Sequence, residues 1–498
     1  MDTPQQPLDI ALAHAQRLSG KHLYAGTLQA ALSGKTFPVA SPATRLQIGT
    51  AADGNADDVA AAVGAAAAAQ PEWAAMSPRA RGKILCQAAA QLTQHTEEIA
   101  TLLALETGKA IRTESRVEAN VLADCFEFYG GLGSELKGET IPFAPNMLVF
   151  TQREPIGVVA AILPWNAPLM LMAFKIAPAL VAGNTVVVKS AEEAPLSTLF
   201  VVELLNRCLP AGVVNILSGF GPSCGGPLVA DRRIGKVTFT GSVDTGKVIA
   251  HAAAERLIPT TLELGGKSPM IVMEDADLDR TVAGAVAGMR FTRQGQSCTA
   301  ASRMLVHRSL RDQFVERMAE KVNAMRMGDP LDETTDIGTI ISTGQYDRVR
   351  SYLDLGRQIP DVQTLQLSAM PEAPALKNGL FIQPTVFVGV DNDNRLAREE
   401  IFGPVTCVIP FDTYEQAITM ANDSDYGLAA TIWTSNLQRA LDATRRLQAG
   451  FVQVNQNIVA QPGLSYGGIK QSGLGKEASM EAMLDHFTQK KTVLISRD

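Results

Sequence analysis

Two short stretches of the chain hold residue types suited to covalent chemistry. In Phe291-Thr-Arg-Gln-Gly-Gln-Ser-Cys298-Thr-Ala300, a cysteine follows Gly295 at the end of a helix-like run from Asp279 to Arg290. The glycine permits a sharp turn, and Ser297, Thr299 and the adjacent amides can surround a sulfur or an oxyanion with donors. Free cysteines are more often buried packing residues. Against that reading stands Thr261-Leu-Glu263-Leu-Gly-Gly-Lys-Ser-Pro269, in which an acid beside a Gly-Gly turn leaves an apolar strand. Such an acid serves packing poorly. Together Cys298 and Glu263 offer a nucleophile and a base.

The elements that must position this pair are legible as alternation. After a short helix (8–19), short strands are expected from His22 to Thr50. Helices follow over Asp57–Met76, Ser77–Thr107 and Arg112–Leu132. Strand-like turns fill Lys137–Glu154. Beyond them strands (156–163, 185–189, 213–217, 236–239, 260–264) alternate with helices (170–180, 195–208, 222–229, 245–256). Continuous apolar strands separated by helices predict a parallel sheet covered on both faces, a Rossmann-like α/β domain. A second α/β series runs from Pro269 to about Asn455. The apolar tail at Lys490–Ser496 is a strand in need of a partner, either residues 137–154 or another subunit.

Several strand ends carry candidate ligand groups. Ile162-Leu-Pro164-Trp165-Asn166 closes one strand, and Asn166 can donate its amide to a developing oxyanion. Lys189 and Glu192 close the next, where a carboxylate fits both hydroxyls of an adenosine ribose and repels a 2′-phosphate. Gly219-Phe-Gly221-Pro-Ser-Cys-Gly225 is a glycine-rich turn that departs from GxGxxG. Phe239-Thr-Gly241-Ser242-Val-Asp-Thr-Gly246 ends a strand and opens a helix, so its amides and the Ser242 hydroxyl face a pyrophosphate. In Glu399-Glu400-Ile-Phe402-Gly-Pro404, Glu400 can hold a second ribose and Phe402 can pack on a nicotinamide.

With Cys298 and Glu263, these segments make the chain resemble the aldehyde dehydrogenase superfamily along essentially its whole length. The matching motifs are PWN (164–166), Lys189/Glu192, FTGSxxxG (239–246), LELGGKSP (262–269), GQSC (295–298), EIFGP (400–404) and an SGxGKE-like run (472–477), in the expected order. The resemblance implies Cys298 as nucleophile, Glu263 as general base, and Asn166 with the Cys298 amide as oxyanion hole. It implies NAD as cofactor, held by Lys189, Glu192, Gly221, Gly225, Ser242, Glu400 and Phe402, with Ile162, Pro164, Trp165, Phe239, Gly241 and Leu264 from the same segments. The implied fold is α/β, with a cofactor domain (1–136 and 155–264), a catalytic domain (265–476) and a β oligomerisation arm (137–154 and 477–498) building a homodimer or homotetramer.

Departures from the family pattern bear on specificity. Ser190 stands where proline is usual, Tyr466 where PFGG has phenylalanine, and Ala167 where an aromatic often follows PWN. Ala167, Leu171, Phe174, Ser297, Thr299, Ala460 and Tyr466 then suggest a roomy, uncharged pocket for a bulky or aromatic neutral aldehyde. The alternative is a semialdehyde or a betaine-type aldehyde, although the pocket lacks the aromatic cage of a quaternary ammonium site. Arg293, near the nucleophile, reads as a structural or solvated arginine ahead of a carboxylate ligand.

Composition excludes other classes. A net charge of −7 gives no electrostatic case for nucleic acid or an anionic membrane. The longest apolar run, Val158 to Val188, is broken by Pro164, Asn166, Lys175 and Asn184, and Met1-Asp-Thr-Pro-Gln-Gln-Pro is not a signal peptide. Six scattered cysteines without CxxC point to a reducing cytoplasm, and six dispersed histidines predict no metal site. A cysteine hydrolase or acyltransferase would need a histidine in a motif, which is lacking. CoA-acylating relatives do not need Glu263, and a non-catalytic structural relative would be expected to have lost Cys298 or Glu263.

Overall fold

The computed structural model describes residues 5–458 and 460–497; most of the N-terminal stretch read against a signal peptide, Met1-Asp-Thr-Pro, lies outside them. The first sheet has eight strands in the order Thr27–Ala30, Lys21–Tyr24, Val214–Leu217, Thr185–Lys189, Val158–Ile162, Ile234–Thr240, Thr260–Glu263, Gly473–Leu474. The five from Val214–Leu217 to Thr260–Glu263 run parallel. Pairs outside them are antiparallel. Val158–Ile162 and Thr185–Lys189 are buried at every position, as required of central strands covered on both faces.

Register aligns the carboxyl ends of these strands. Ile162 pairs with Lys189 and with Phe239, Lys189 with Leu217, and Thr240 with Glu263. From Val158–Ile162 the chain builds outward first to one side and then to the other. The switch point lies between Val158–Ile162 and Ile234–Thr240, where an open parallel sheet leaves a crevice for ligands. A second sheet of seven strands contains Arg303–His307 and Pro269–Val272 at its centre. Cys298 lies on the loop entering Arg303–His307.

The tail strand Thr488–Ser496 pairs antiparallel with Met147–Pro155 of its own chain along its whole length, Thr488 opposite Pro155 and Ser496 opposite Met147. It stands at the edge of a three-stranded sheet, and its side chains are mostly exposed. The Gly473–Leu474 strand, from the far end of the chain, closes the first sheet beside Glu263. The helix expected over Ser77–Thr107 is two helices, Pro78–Gln94 and Thr96–Thr107, broken at His95. The Thr93 and Thr96 hydroxyls bond the carbonyls of Ala89 and Thr93, and the His95 ring bonds Glu98. Such local bonds compete with a straight helix. Gly221–Gly225 and Ile111–Ser115 each form a π-helical turn at the start of a helix, a wide turn that periodicity does not announce.

Candidate active site

The loop bearing Cys298 is shaped by three left-handed residues, Arg290 (φ 58°), Gln294 (φ 55°) and Gly295 (φ 64°). A Cβ at Gly295 would stand 2.0 Å from the Gly403 carbonyl oxygen, so only glycine fits there. Side chains then pin the loop. Gln294 Nε2 donates to Ile382 O (3.0 Å), Gln296 Nε2 to Thr339 O (3.1 Å), and Gln296 Oε1 accepts from the Ile341 amide (3.0 Å). Asn166 Nδ2 donates to Gln296 O at 3.2 Å, tying the end of strand Val158–Ile162 to the nucleophile loop. That nitrogen carries a second hydrogen.

A buried cluster of four charges stands behind these contacts. Arg293 pairs with Glu114 at 2.6 Å, and Lys109 with Glu118 at 2.5 Å. Glu118 also accepts the Leu169 amide at 2.8 Å, at the first turn of helix Pro168–Val181. A carboxylate there complements the helix dipole. The cluster thus holds the Cys298 loop and the segment after Asn166 together. Arg293 is structural, as its sequence context suggested.

Cys298 Sγ lies 3.1 Å from the Tyr466 hydroxyl. Burial pushes the thiol up to about 11, against the pull of the Tyr466 hydrogen bond. Glu263 ends its strand buried, its carboxyl faced by the Gly468 amide and by no side-chain donor among the described residues. Burial, then the neighbouring Glu477 charge, hold its carboxyl well above the usual range. Perturbation of this kind marks groups that exchange protons. Glu477 itself is paired with Lys175 at 2.6 Å, both fully buried, and accepts from Thr238 Oγ1 at 3.0 Å. Sequence reasoning missed this pair. The signal was present: Lys175 interrupts an apolar helix, and Glu477 closes the SGxGKE run.

Cys298 opens onto a groove of about 450 Å³ at the switch point, lined also by Pro164, Trp165, Asn166, Gly241, Ser242, Leu264, Glu400 and Phe402. Trp165 and Phe402 meet edge to face, centroids 5.3 Å apart. Glu400, pushed up to about 7 by burial, accepts the Gly266 amide at 2.8 Å. Gln345 and Arg348, not anticipated, hold the backbone of Phe402 and Glu400 at 2.8 and 2.6 Å. Ser242 caps helix Val243–Ala254, accepting the Thr245 amide. Farther along the same edge, Lys189 and Glu192 form an ion pair at 2.8 Å, and open space faces Gly221 and Gly225, where a Cβ would meet nothing within 4 Å. Ile162 and Phe239 sit differently. Their side chains are buried in the core cluster of the first sheet and do not line the groove.

The groove fits a dinucleotide on its own terms. Its walls include a carboxyl (Glu400), a helix N-terminus (Ser242) and the edge-to-face pair Trp165 and Phe402, and a second carboxyl, Glu192, stands farther along the sheet edge.

The residues expected to wall the substrate do not line this groove. Ala167, Leu171, Phe174, Ala460 and Tyr466 are buried in the main core cluster, with Cys298 packed against it. Ser297 and Thr299 bond each other through their hydroxyls at 3.3 Å.

Comparison with known proteins agrees with this geometry. The profile of the aldehyde dehydrogenase family matches residues 29–493. A betaine aldehyde dehydrogenase of Brucella anthropi is 39% identical over 476 residues, covering 95% of this chain and 96% of its own. Among solved structures, PnpE in complex with nicotinamide adenine dinucleotide superposes with a TM-score of 0.93 at 39% identity, covering 96% of this chain and 98% of its own. The NAD+ complex of a Bacillus cereus aldehyde dehydrogenase does so at 0.93 and 36%, covering 98% of each chain. A family match spanning nearly the whole chain and the shared fold of these relatives lead to one conclusion: this protein belongs to the aldehyde dehydrogenase family.

Proposed function

We propose that the protein oxidises an aldehyde to its carboxylic acid with NAD+, through a thioester on Cys298. The observation that carries this reading is Cys298 on the wall of the groove, with the Glu263 carboxyl buried at the carboxyl edge of the first sheet. As thiolate, Cys298 attacks the carbonyl carbon, and the thiohemiacetal oxyanion is held by the free Asn166 N–H and the Cys298 amide. Loss of one such donor costs roughly 3 kcal/mol. When bound, the nicotinamide supplies the hydride acceptor that turns the thiohemiacetal into a thioester. Glu263 takes a proton from water, the hydroxide displaces the sulfur, and the carboxylate departs. The buried Lys175–Glu477 pair gives that proton charged neighbours in an otherwise apolar interior.

Glu192 and Lys189 hold the adenosine ribose, and Glu192 disfavours a 2′-phosphate. The substrate is a bulky or aromatic neutral aldehyde, which the uncharged side chains around Cys298 support. A betaine-type aldehyde is the second reading, favoured by the name of the Brucella relative. The exposed outer edge of Thr488–Ser496 is the surface through which copies pair into a dimer or tetramer. Among the described residues no helix is long and apolar enough to cross a membrane, in keeping with a cytoplasmic enzyme. The test is NADH absorbance on mixing the protein with NAD+ and a panel of aldehydes. No NADH from any of them would overturn the reading.

A further inference from the structure

Tyr466 stands where the family pattern has a phenylalanine, and the difference is one hydroxyl in contact with the nucleophile. Its ring is buried, edge to face with Phe451 (5.9 Å). Its backbone is locked to Glu477 by two hydrogen bonds, Tyr466 N to Glu477 O (3.0 Å) and Glu477 N to Tyr466 O (2.7 Å). Glu477 in turn is held by Lys175 and Thr238. The phenol oxygen is therefore rigidly placed, 3.1 Å from Cys298 Sγ. A buried tyrosine hydroxyl normally finds an acceptor for its hydrogen. Here the sulfur is at hand, and a thiolate is a far better acceptor than a thiol.

We propose that the Tyr466 hydroxyl donates to the Cys298 sulfur and stabilises it as a thiolate, both before attack and when the thioester breaks. This rests on the reaction proposed above. In the first event the S–H bond breaks, the proton passes to Glu263, directly or through water, and is released to solvent before hydrolysis, while the electron pair stays on sulfur. In the second, the oxygen of water has bonded to the acyl carbon, the C–S bond breaks and the pair returns to sulfur. The phenol keeps its proton throughout, which its own pKa, raised well above the usual value by burial and then by Cys298 and Glu263, requires. The other charges facing this sulfur are Glu400 and Glu263, which oppose a thiolate, and Arg293, which favours one. Arg290 also lies within electrostatic reach of both Cys298 and Tyr466. Glu477 faces the phenol. Among the described residues none of these hydrogen-bonds Sγ; Tyr466 does.

The experiment uses the full-length enzyme without aldehyde. The rate of iodoacetamide alkylation at Cys298 is followed against pH for the parent and for Tyr466→Phe, with the modified peptide resolved by mass spectrometry because Cys86 is also exposed. Phenylalanine keeps the ring and its packing. A hydrogen bond to a charged group should shift the thiol midpoint upward by about one unit, slowing alkylation at neutral pH about tenfold. Superimposable profiles, a downward shift, or a lowered plateau with an unmoved midpoint would each overturn the proposal, the last because it marks altered access. Alkylation needs neither aldehyde nor NAD+, so its outcome is separate from failure of the parent enzyme to make NADH.

Discussion

The buried charge cluster behind the nucleophile loop predicts a large effect from a small change. Lys109, Glu114, Glu118 and Arg293 are each at most 9% exposed and together carry no net charge. Glu114→Gln removes one negative charge, leaves the Arg293 guanidinium without its 2.6 Å partner and weakens the acceptor of the Thr292 hydroxyl. Breaking a buried pair from one side costs about 3–5 kcal/mol. Set against a typical stability of about 5–15 kcal/mol, that is a substantial share. The loss should appear as a lowered urea midpoint by tryptophan fluorescence, at fixed subunit concentration. Because Arg293 lies in the same pinned loop as Cys298, turnover should also fall, about 10²-fold for a displacement near 1 Å. The double variant Glu114→Gln/Arg293→Met removes both charges and should recover most of the stability, but not the turnover, since the loop has lost its anchor. A single variant within about 1 kcal/mol of the parent would refute the claim that this pair holds the loop.

Three other outcomes follow from the site. Glu263→Gln should release a burst of NADH near one per active site and then almost stop, with acyl mass trapped on the Cys298 peptide; full steady turnover would remove Glu263 from the mechanism. Glu192→Ser should narrow the preference for NAD+ over NADP+, read as the ratio of kcat/KM values, and an unchanged ratio would place the ribose elsewhere. Burial pushes the Glu400 carboxyl up to about 7, so the native state gains protons there that the unfolded chain binds only nearer 4.5. Its ionised form therefore costs stability above about 7 and is lost as pH falls through that value. If that ionised form accepts the ribose hydroxyls, NAD+ affinity should weaken several-fold from pH 8 to about 6 in the parent, while Glu400→Gln binds weakly with no such slope.

How much of this was legible beforehand depends on the range of the interactions. Strand and helix alternation from Ile156 to Leu264 is local, because side-chain period and apolar runs are written residue by residue. The motifs at strand ends could be read for the same reason, since a parallel sheet places its ligand groups at the carboxyl edge whatever its strand order. Cys298, Glu263, Asn166, Ser242, Glu400 and Phe402 were thus all named from spacing and residue type, and all of them but Glu263 line the groove. The break at His95 and the two π turns were not legible, because they depend on a few side-chain hydrogen bonds that periodicity averages over.

What only the tertiary structure decided is which distant residues share a charge or a proton. Glu477 lies 302 residues from Lys175, Arg293 lies 179 from Glu114, and Tyr466 lies 168 from Cys298. No local pattern marks such pairs, since each partner alone looks like a solvated charge or a packing ring. They become functional only when folding removes water from both, because an ion or hydroxyl shut in an apolar interior must find its partner there. The sequence by itself determined the chemical groups and the edge on which they stand. Folding decided how dry that edge is, how closely the substrate wall packs, and which group faces the sulfur, because burial and distance are properties of the packed chain and not of its order.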